Sequence, residues 1–210
     1  MDTHIFLARH GETAWSRDDY FCGSSDVELS DAGQRQAEAL AQALHAVPLA
    51  AIYASSLARA VATAVPVAAG HGLQAASVAE LREMDFGAWE GRLRADVATT
   101  DAARYHAWQR DPAMVAPSGG ENAYVVAARV MPALAQLIAA HTGETVLIVG
   151  HKTVNRILLC HLLGIPVRHY RERVVQDVCS LNHLRVGRDG DVRVTRLNDT
   201  SHLGSWTLPR

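Results

Sequence analysis

Strands alternating with helices predict an α/β domain: a mostly parallel central sheet flanked by helices on both faces, with an antiparallel C-terminal hairpin at an edge. Three observations carry that expectation. Short apolar runs at residues 5–8 (IFLA), 51–54 (AIYA) and 145–149 (TVLIV) each stop at polar or glycine-bearing residues, as buried strands do. Stretches rich in helix formers separate them. Two terminal runs, 180–186 and 191–197, flank Gly187-Arg188-Asp189-Gly190 and read as a hairpin.

The elements follow in order. The first strand, 5–8, leads into Arg9-His10-Gly11. Residues 31–44 (DAGQRQAEALAQAL) form a helix with Ser30 or Asp31 as N-cap. The second strand ends in Ser55-Ser56, and a helix from Leu57 is expected to end or kink at Pro66. A third strand over 73–78 leads into Glu80-Leu81-Arg82-Glu83. Residues 92–119 are more polar and irregular, with a helix around 102–109. A long Ala-rich helix spans 121–141 with a kink near Pro132, and the strand 145–149 passes through Gly150-His151 into a helix over 154–163 that Gly164 ends. With no repeat or linker in view, the expected organisation is a single domain over 1–210, with an insertion at about 85–120 over the carboxyl edge of the sheet.

Composition narrows the function. The 210 residues are 49% hydrophobic and 20% charged, with a net charge of −2, which argues against a general nucleic-acid binder. Cys22, Cys160 and Cys179 form no CxxC pair, in keeping with a reducing compartment. No segment reaches the ~18–20 apolar residues of a membrane span; the most apolar stretch, 39–54, is broken by Gln42, His45 and Pro48. Candidate chemistry beginning at Arg9 leaves no room for a removable leader, so the cytoplasm is the expected compartment.

That chemistry lies at strand ends. Parallel strands deliver their carboxyl ends to one side, where ligands bind in open sheets, so His10 and His151 are expected to share a crevice. Arg9 supplies a fixed cation, His10 an imidazole able to act as a nucleophile, and Gly11 a backbone that a ligand can approach. Arg59, in the first turn of the helix after Ser55-Ser56, and Glu83 come from two further strand ends.

These segments, taken in order, resemble the boxes of the histidine phosphatase superfamily, also called phosphoglycerate-mutase-like. ARHGET is similar to its RHG box and SSLARAVAT to its arginine box. LREMDFGAWEG is similar to the acid box, SGGEN to the Gly-Gly-Glu box and VGHKTVNR to the second-histidine box. The resemblance implies that His10 is the nucleophile and carries a transient phosphohistidine. It implies that Arg9, Arg59 and His151 surround the phosphoryl oxygens and that Glu83 is the proton donor, with Glu80, Asp85 and Glu90 as its rivals and Asp85 the first of them. Ser16 and Gly23 are added as phosphate-binding positions. Two guanidinium forks and an imidazolium would suit three equatorial phosphoryl oxygens.

Two positions depart from the pattern. Ser16 stands where the family usually has Asn, and offers one donor with shorter reach. Lys152 stands where Gly is common, and is a candidate contact for a second anionic group on the substrate, such as a carboxylate. The expected function is a metal-independent phosphatase, with no cofactor, acting on a small phosphorylated metabolite; nucleic acid and membrane are not expected partners, and a homodimer is the candidate assembly. The alternatives are a cofactor-dependent phosphoglycerate mutase, disfavoured because the acid box reads Glu83-Met84-Asp85-Phe86-Gly87 rather than Glu-Arg-His-Tyr-Gly, and a non-catalytic phospho-ligand sensor. HExxH, clustered carboxylates and GxSxG are absent from the sequence, which weighs against metallohydrolase and serine hydrolase readings.

Overall fold

A computed structural model of the chain describes residues 1–204. Its strands are β1 (Thr3–Arg9), β2 (Ala51–Ser55), β3 (Ala75–Val78), β4 (Thr145–Gly150), β5 (Leu181–Val186) and β6 (Val192–Asp199). The helices are α1 (Ala14–Arg17), α2 (Asp31–Leu44), α3 (Ala58–His71), α4 (Arg94–Thr100), α5 (Ala102–Arg110), α6 (Ala123–Ala140), α7 (Lys152–Leu162) and α8 (Tyr170–Arg173). The described residues form a six-stranded sheet in the order β3-β2-β4-β1-β5-β6. Strands β1 to β4 run parallel, while β5 lies antiparallel to β1 and pairs with β6 as the edge hairpin.

The apolar run in β4 is continuous because both faces are covered. Val146 and Ile148 pack with Ile5, Leu7, Val130 and Ile157 on the side of α6 and α7. Leu147 and Val149 point the other way, to Ala8, Leu40, Ile52 and Val67 on the side of α2 and α3. Helix α2 starts where its sequence directs, with the Ser30 hydroxyl accepting the Gly33 N–H at 3.1 Å.

Both internal prolines lie within continuous helices. Helix α3 continues through Pro66 to His71 and stops at Gly72, which is left-handed at φ 65°. Helix α6 likewise runs through Pro132 to Ala140. A proline removes one ladder bond, and burial of one face outweighs that loss: Ala64 and Val67 in α3, and Val130, Ala133 and Leu134 in α6, are buried around the prolines. One expectation needs correction: α6 is long and apolar enough to cross a membrane by length and composition, contrary to the reading that no segment is. In the fold its buried stripe joins the core beside α7, and Arg129 within it holds Glu121 at 2.9 Å.

Residues 86–110 cross toward the carboxyl end of the sheet through a one-turn helix (Gly87–Trp89), α4 and α5. An aromatic cluster pins them. Phe21 lies 5.0 Å from Phe86 and 5.1 Å from Trp89, and Trp89 lies 5.3 Å edge-on to Trp108, between ring centroids. Helix α7 begins at Lys152, two residues earlier than its sequence suggests, with His151 as N-cap. That shift makes the Thr153 N–H a helix-start donor with no partner within the helix, and it donates instead to the Glu83 carboxylate at 3.0 Å.

Candidate active site

The register of β1 against β4 assembles the centre. Arg9 pairs with Gly150, so His10 and His151 are each the first residue beyond a central parallel strand. The His10 amide donates to the Gly150 carbonyl at 3.1 Å, and the two imidazole centroids stand 5.1 Å apart, tilted by 58°. Both rings are buried.

His10 Nδ1 lies 2.6 Å from the Gly11 carbonyl oxygen. A carbonyl only accepts, so Nδ1 carries the proton and Nε2 keeps its lone pair. Burial, then the charges of Arg59 and Arg9, hold the imidazole well below the ordinary histidine value against the opposing pull of the Gly11 carbonyl. The ring is neutral and fixed in orientation.

His151 Nε2 is 2.7 Å from the Ser55 hydroxyl, at the end of β2. Its Nδ1 is buried with no partner among the described residues. Burial, then Arg59, His10 and Arg9, hold its pKa low as well. The imidazolium expected from the sequence is therefore a neutral ring before an anion enters, because burial and the neighbouring cationic groups oppose its charge. With Ser55 donating to Nε2, the unpartnered Nδ1–H becomes a donor for an incoming oxygen.

Arg9 donates from Nη1 to the Gln176 carbonyl at 2.8 Å, and its Nε has no partner among the described residues. Gln176 is itself held by an amide pair with Asn182 at 2.8 and 2.9 Å. Arg59 is fully buried and donates to the carbonyls of Gly23 (2.7 Å) and Ser25 (2.8 Å). The loop carrying those carbonyls is gathered by a residue that sequence reading did not assign. The Glu90 carboxylate accepts the N–H groups of Gly23, Ser24 and Ser25 at 3.0–3.3 Å and the Ser25 hydroxyl at 2.7 Å.

Glu83 is 5% exposed and reaches the pocket, whereas Asp85 turns away to accept the Gly87 N–H at 2.7 Å. One Glu83 oxygen accepts its neighbour Met84 N–H at 2.8 Å, the other the Thr153 N–H at 3.0 Å. Its loop is locked from behind by Arg129, which donates to the carbonyls of Arg82 (2.7 Å) and Glu83 (3.0 Å) while pairing with Glu121. Glu121, of the SGGEN segment, also accepts the Asp85 N–H at 3.0 Å. The role of that segment is thus to hold the acid loop; the grip of Arg129 on that loop carries no local sequence signal because the carbonyls it reaches are 46 to 49 residues away.

The remaining candidates fall differently from expectation. Ser16 lines the pocket, but its hydroxyl donates to the Thr13 carbonyl (3.0 Å) and accepts the Thr13 N–H (2.9 Å) in the capping box of α1. Its one proton is therefore spent locally rather than held for phosphate. Gly23 is not in the pocket wall; its N–H serves Glu90 and its carbonyl Arg59, so it acts behind the site. Gly11 is needed for a close approach, though to protein: a Cβ there would sit 2.6 Å from the Gly33 carbonyl oxygen. Lys152 opens α7 at the pocket mouth, exposed but beside Arg9, Arg94 and Arg156.

Arranged this way, the pocket of about 70 Å³ is lined by the neutral His10 imidazole, the carboxyl groups of Glu83 and Asp19 and the cations Arg9, Arg94 and Lys152, the parts of a phosphoryl-transfer site, with Arg59 and His151 outside that lining. The chain belongs to the histidine phosphatase superfamily (branch 1), whose family model matches residues 5–200. Phosphoserine phosphatase 1 of Hydrogenobacter thermophilus is 30% identical over 203 residues, covering 96% of this chain and 95% of the relative. The adenosylcobalamin/alpha-ribazole phosphatase of Escherichia coli is 34% identical over 170 residues, covering 80% of this chain and 84% of the relative. The solved structure of Bacillus stearothermophilus YhfR superposes with a TM-score of 0.90 at 32% identity, covering 96% of this chain and all of that one.

Proposed function

We propose that this chain is a metal-independent phosphatase that hydrolyses a small phosphorylated metabolite through a phosphohistidine on His10. The observation that carries the reading is the fixed tautomer of buried His10, whose Nδ1 is held by the Gly11 carbonyl and whose ring feels the charges of Arg59 and Arg9. Relatives named for phosphoserine and alpha-ribazole phosphate hydrolysis support the class of reaction.

The phosphoryl dianion enters among Arg9, Arg59 and the His151 Nδ1–H, which offset the charge spreading over its equatorial oxygens. Nε2 of His10 attacks phosphorus as the ester P–O bond breaks, and the leaving oxygen takes a proton from the Glu83 carboxyl. The Glu83 carboxylate then accepts a proton from water as the water oxygen attacks phosphorus and the N–P bond breaks, returning His10 and releasing phosphate. The Thr153 and Met84 N–H groups hold the carboxylate form between the two steps.

The test is phosphate release from p-nitrophenyl phosphate and a metabolite panel in EDTA. Turnover by the wild-type chain and its loss in His10→Ala support the reading. Transfer of the phosphoryl group to a second substrate hydroxyl without net release would place the chain with the mutases, and binding without turnover would make it a sensor.

A further inference from the structure

We propose that a second cavity beside the phosphoryl pocket is an anion subsite that takes a second phosphate on the same substrate, so that the preferred substrate is a bisphosphorylated compound. The inference rests on the phosphatase reading above and names the substrate class for that site.

The cavity has a volume of about 160 Å³ and shares Phe86, Arg94, Lys152 and Thr153 with the pocket that holds His10. Its wall adds Arg156 of α7 and Arg171 of α8, and among the described residues no carboxylate lines it. Glu83 and Asp177, whose charges favour the Arg156 guanidinium, stand outside that wall. Four cations thus converge on one space. Only Arg94 has an ion pair there, with Asp19 at 2.9 Å.

The other three are poorly compensated. Lys152 and Arg156 stand four residues apart on α7, a like-charge pair that weakens a helix unless an anion lies between. Arg156 Nε and Arg171 Nη2 are buried without a hydrogen-bond partner among the described residues. Unmet guanidinium donors inside a protein are costly, and a ligand that meets them recovers that loss. Arg171 is held for the purpose, stacked 3.3 Å from the Trp108 ring centre and bonded to the Tyr170 hydroxyl at 3.1 Å.

The charge count selects the ligand. Lys152, Arg156 and Arg171 are more than one carboxylate would balance, whereas a phosphate monoester near neutral pH carries between about one and a half and two negative charges. Planar guanidiniums also match phosphate oxygens. A neutral or singly phosphorylated substrate leaves the cavity unneutralised.

The test uses straight-chain diols of two to six carbons as monophosphates and as bisphosphates, with matching phosphorylated carboxylic acids as a third arm. The wild-type chain should prefer one length of bisphosphate over its monophosphate by at least tenfold in kcat/KM. Arg156→Gln with Arg171→Lys should bring that ratio within twofold, and salt should compress it in the wild type. A bisphosphate-to-monophosphate ratio near one at every length overturns the proposal, as does an equal or larger preference for the carboxylates. If the double variant unfolds, the wild-type ratio and its salt dependence decide. If no ester is hydrolysed, the phosphatase reading fails by itself. Calorimetric binding of the same compounds to the wild-type chain then judges the subsite: tighter bisphosphate binding upholds it, and equal binding sinks it.

Discussion

Glu90 governs Arg59 without touching it. The Glu90 carboxylate gathers the amides of Gly23, Ser24 and Ser25, and the carbonyls of Gly23 and Ser25 in turn hold both terminal nitrogens of Arg59. One acidic side chain thereby aims a guanidinium that sets the electrostatics of both histidines.

Glu90→Ala removes the acceptor of three loop amides and should lower kcat/KM for phosphate esters by about 10²-fold, since small displacements of a charge-stabilising group are amplified in rate. Glu90→Gln keeps one carbonyl oxygen and should recover part of the loss. Steady-state kinetics of both variants, beside their melting curves, are the measurement. Full activity in Glu90→Ala would mean that Arg59 is positioned by other contacts.

A nucleophilic imidazole forms a phosphoramidate, which is labile to acid and stable to base. Rapid alkaline quenching with labelled substrate should place label on the peptide containing His10. Intact turnover without label on that peptide would remove His10 as the nucleophile.

Glu83→Gln should slow an alkyl phosphate far more than p-nitrophenyl phosphate, because a basic leaving oxygen needs the proton and nitrophenolate does not. Equal losses on the two esters would reassign Glu83 to binding.

Stability should fall as pH drops through the histidine range. His10 and His151 are held well below 6.5, so the unfolded chain binds their protons first as the solution is acidified. Their contribution is fully present above about pH 6.5 and is lost below it, by up to about 1.4 kcal/mol per pH unit for each ring. Denaturant titrations of the wild type and of His151→Gln from pH 7 to pH 5 check this, the variant showing the shallower slope.

Lys152 supplies a second pH signature. Desolvation, then Arg9, Arg156 and Arg94, bring its ammonium down to about 8, so it is charged below that pH and neutral above. KM for a bisphosphate should rise between pH 7.5 and 9 in the wild type, by a few-fold at about 1 kcal/mol for a partly exposed contact, and stay flat in Lys152→Met.

Much of this arrangement is legible in the sequence for a physical reason. In a parallel sheet the strand ends converge, so polar residues that terminate apolar runs, Arg9-His10 and His151, meet without further instruction. Ser30 as a cap and the edge hairpin follow from equally local rules. What is not legible acts through space. Arg129 reaches carbonyls 46 to 49 residues away, Glu90 binds amides 65 to 67 residues back, and Arg171 meets Trp108 across two helices. The same limit applies to Ser16 and Gly23, whose polar groups are occupied by local and tertiary partners that their sequence positions do not reveal.

The strand order has a consequence for how the protein comes into being. β4 lies between β1 and β2, so those early strands have no edge in common until residues 145–150 slot between them. A nascent chain of 140 residues already holds His10, Arg59 and Glu83, but it lacks β4, the strand that pairs with both β1 and β2. Such long-range pairing is slow and comes late in synthesis. The juxtaposition of His10 and His151 at the ends of β1 and β4 is therefore completed only after residues 145–151 have been synthesised.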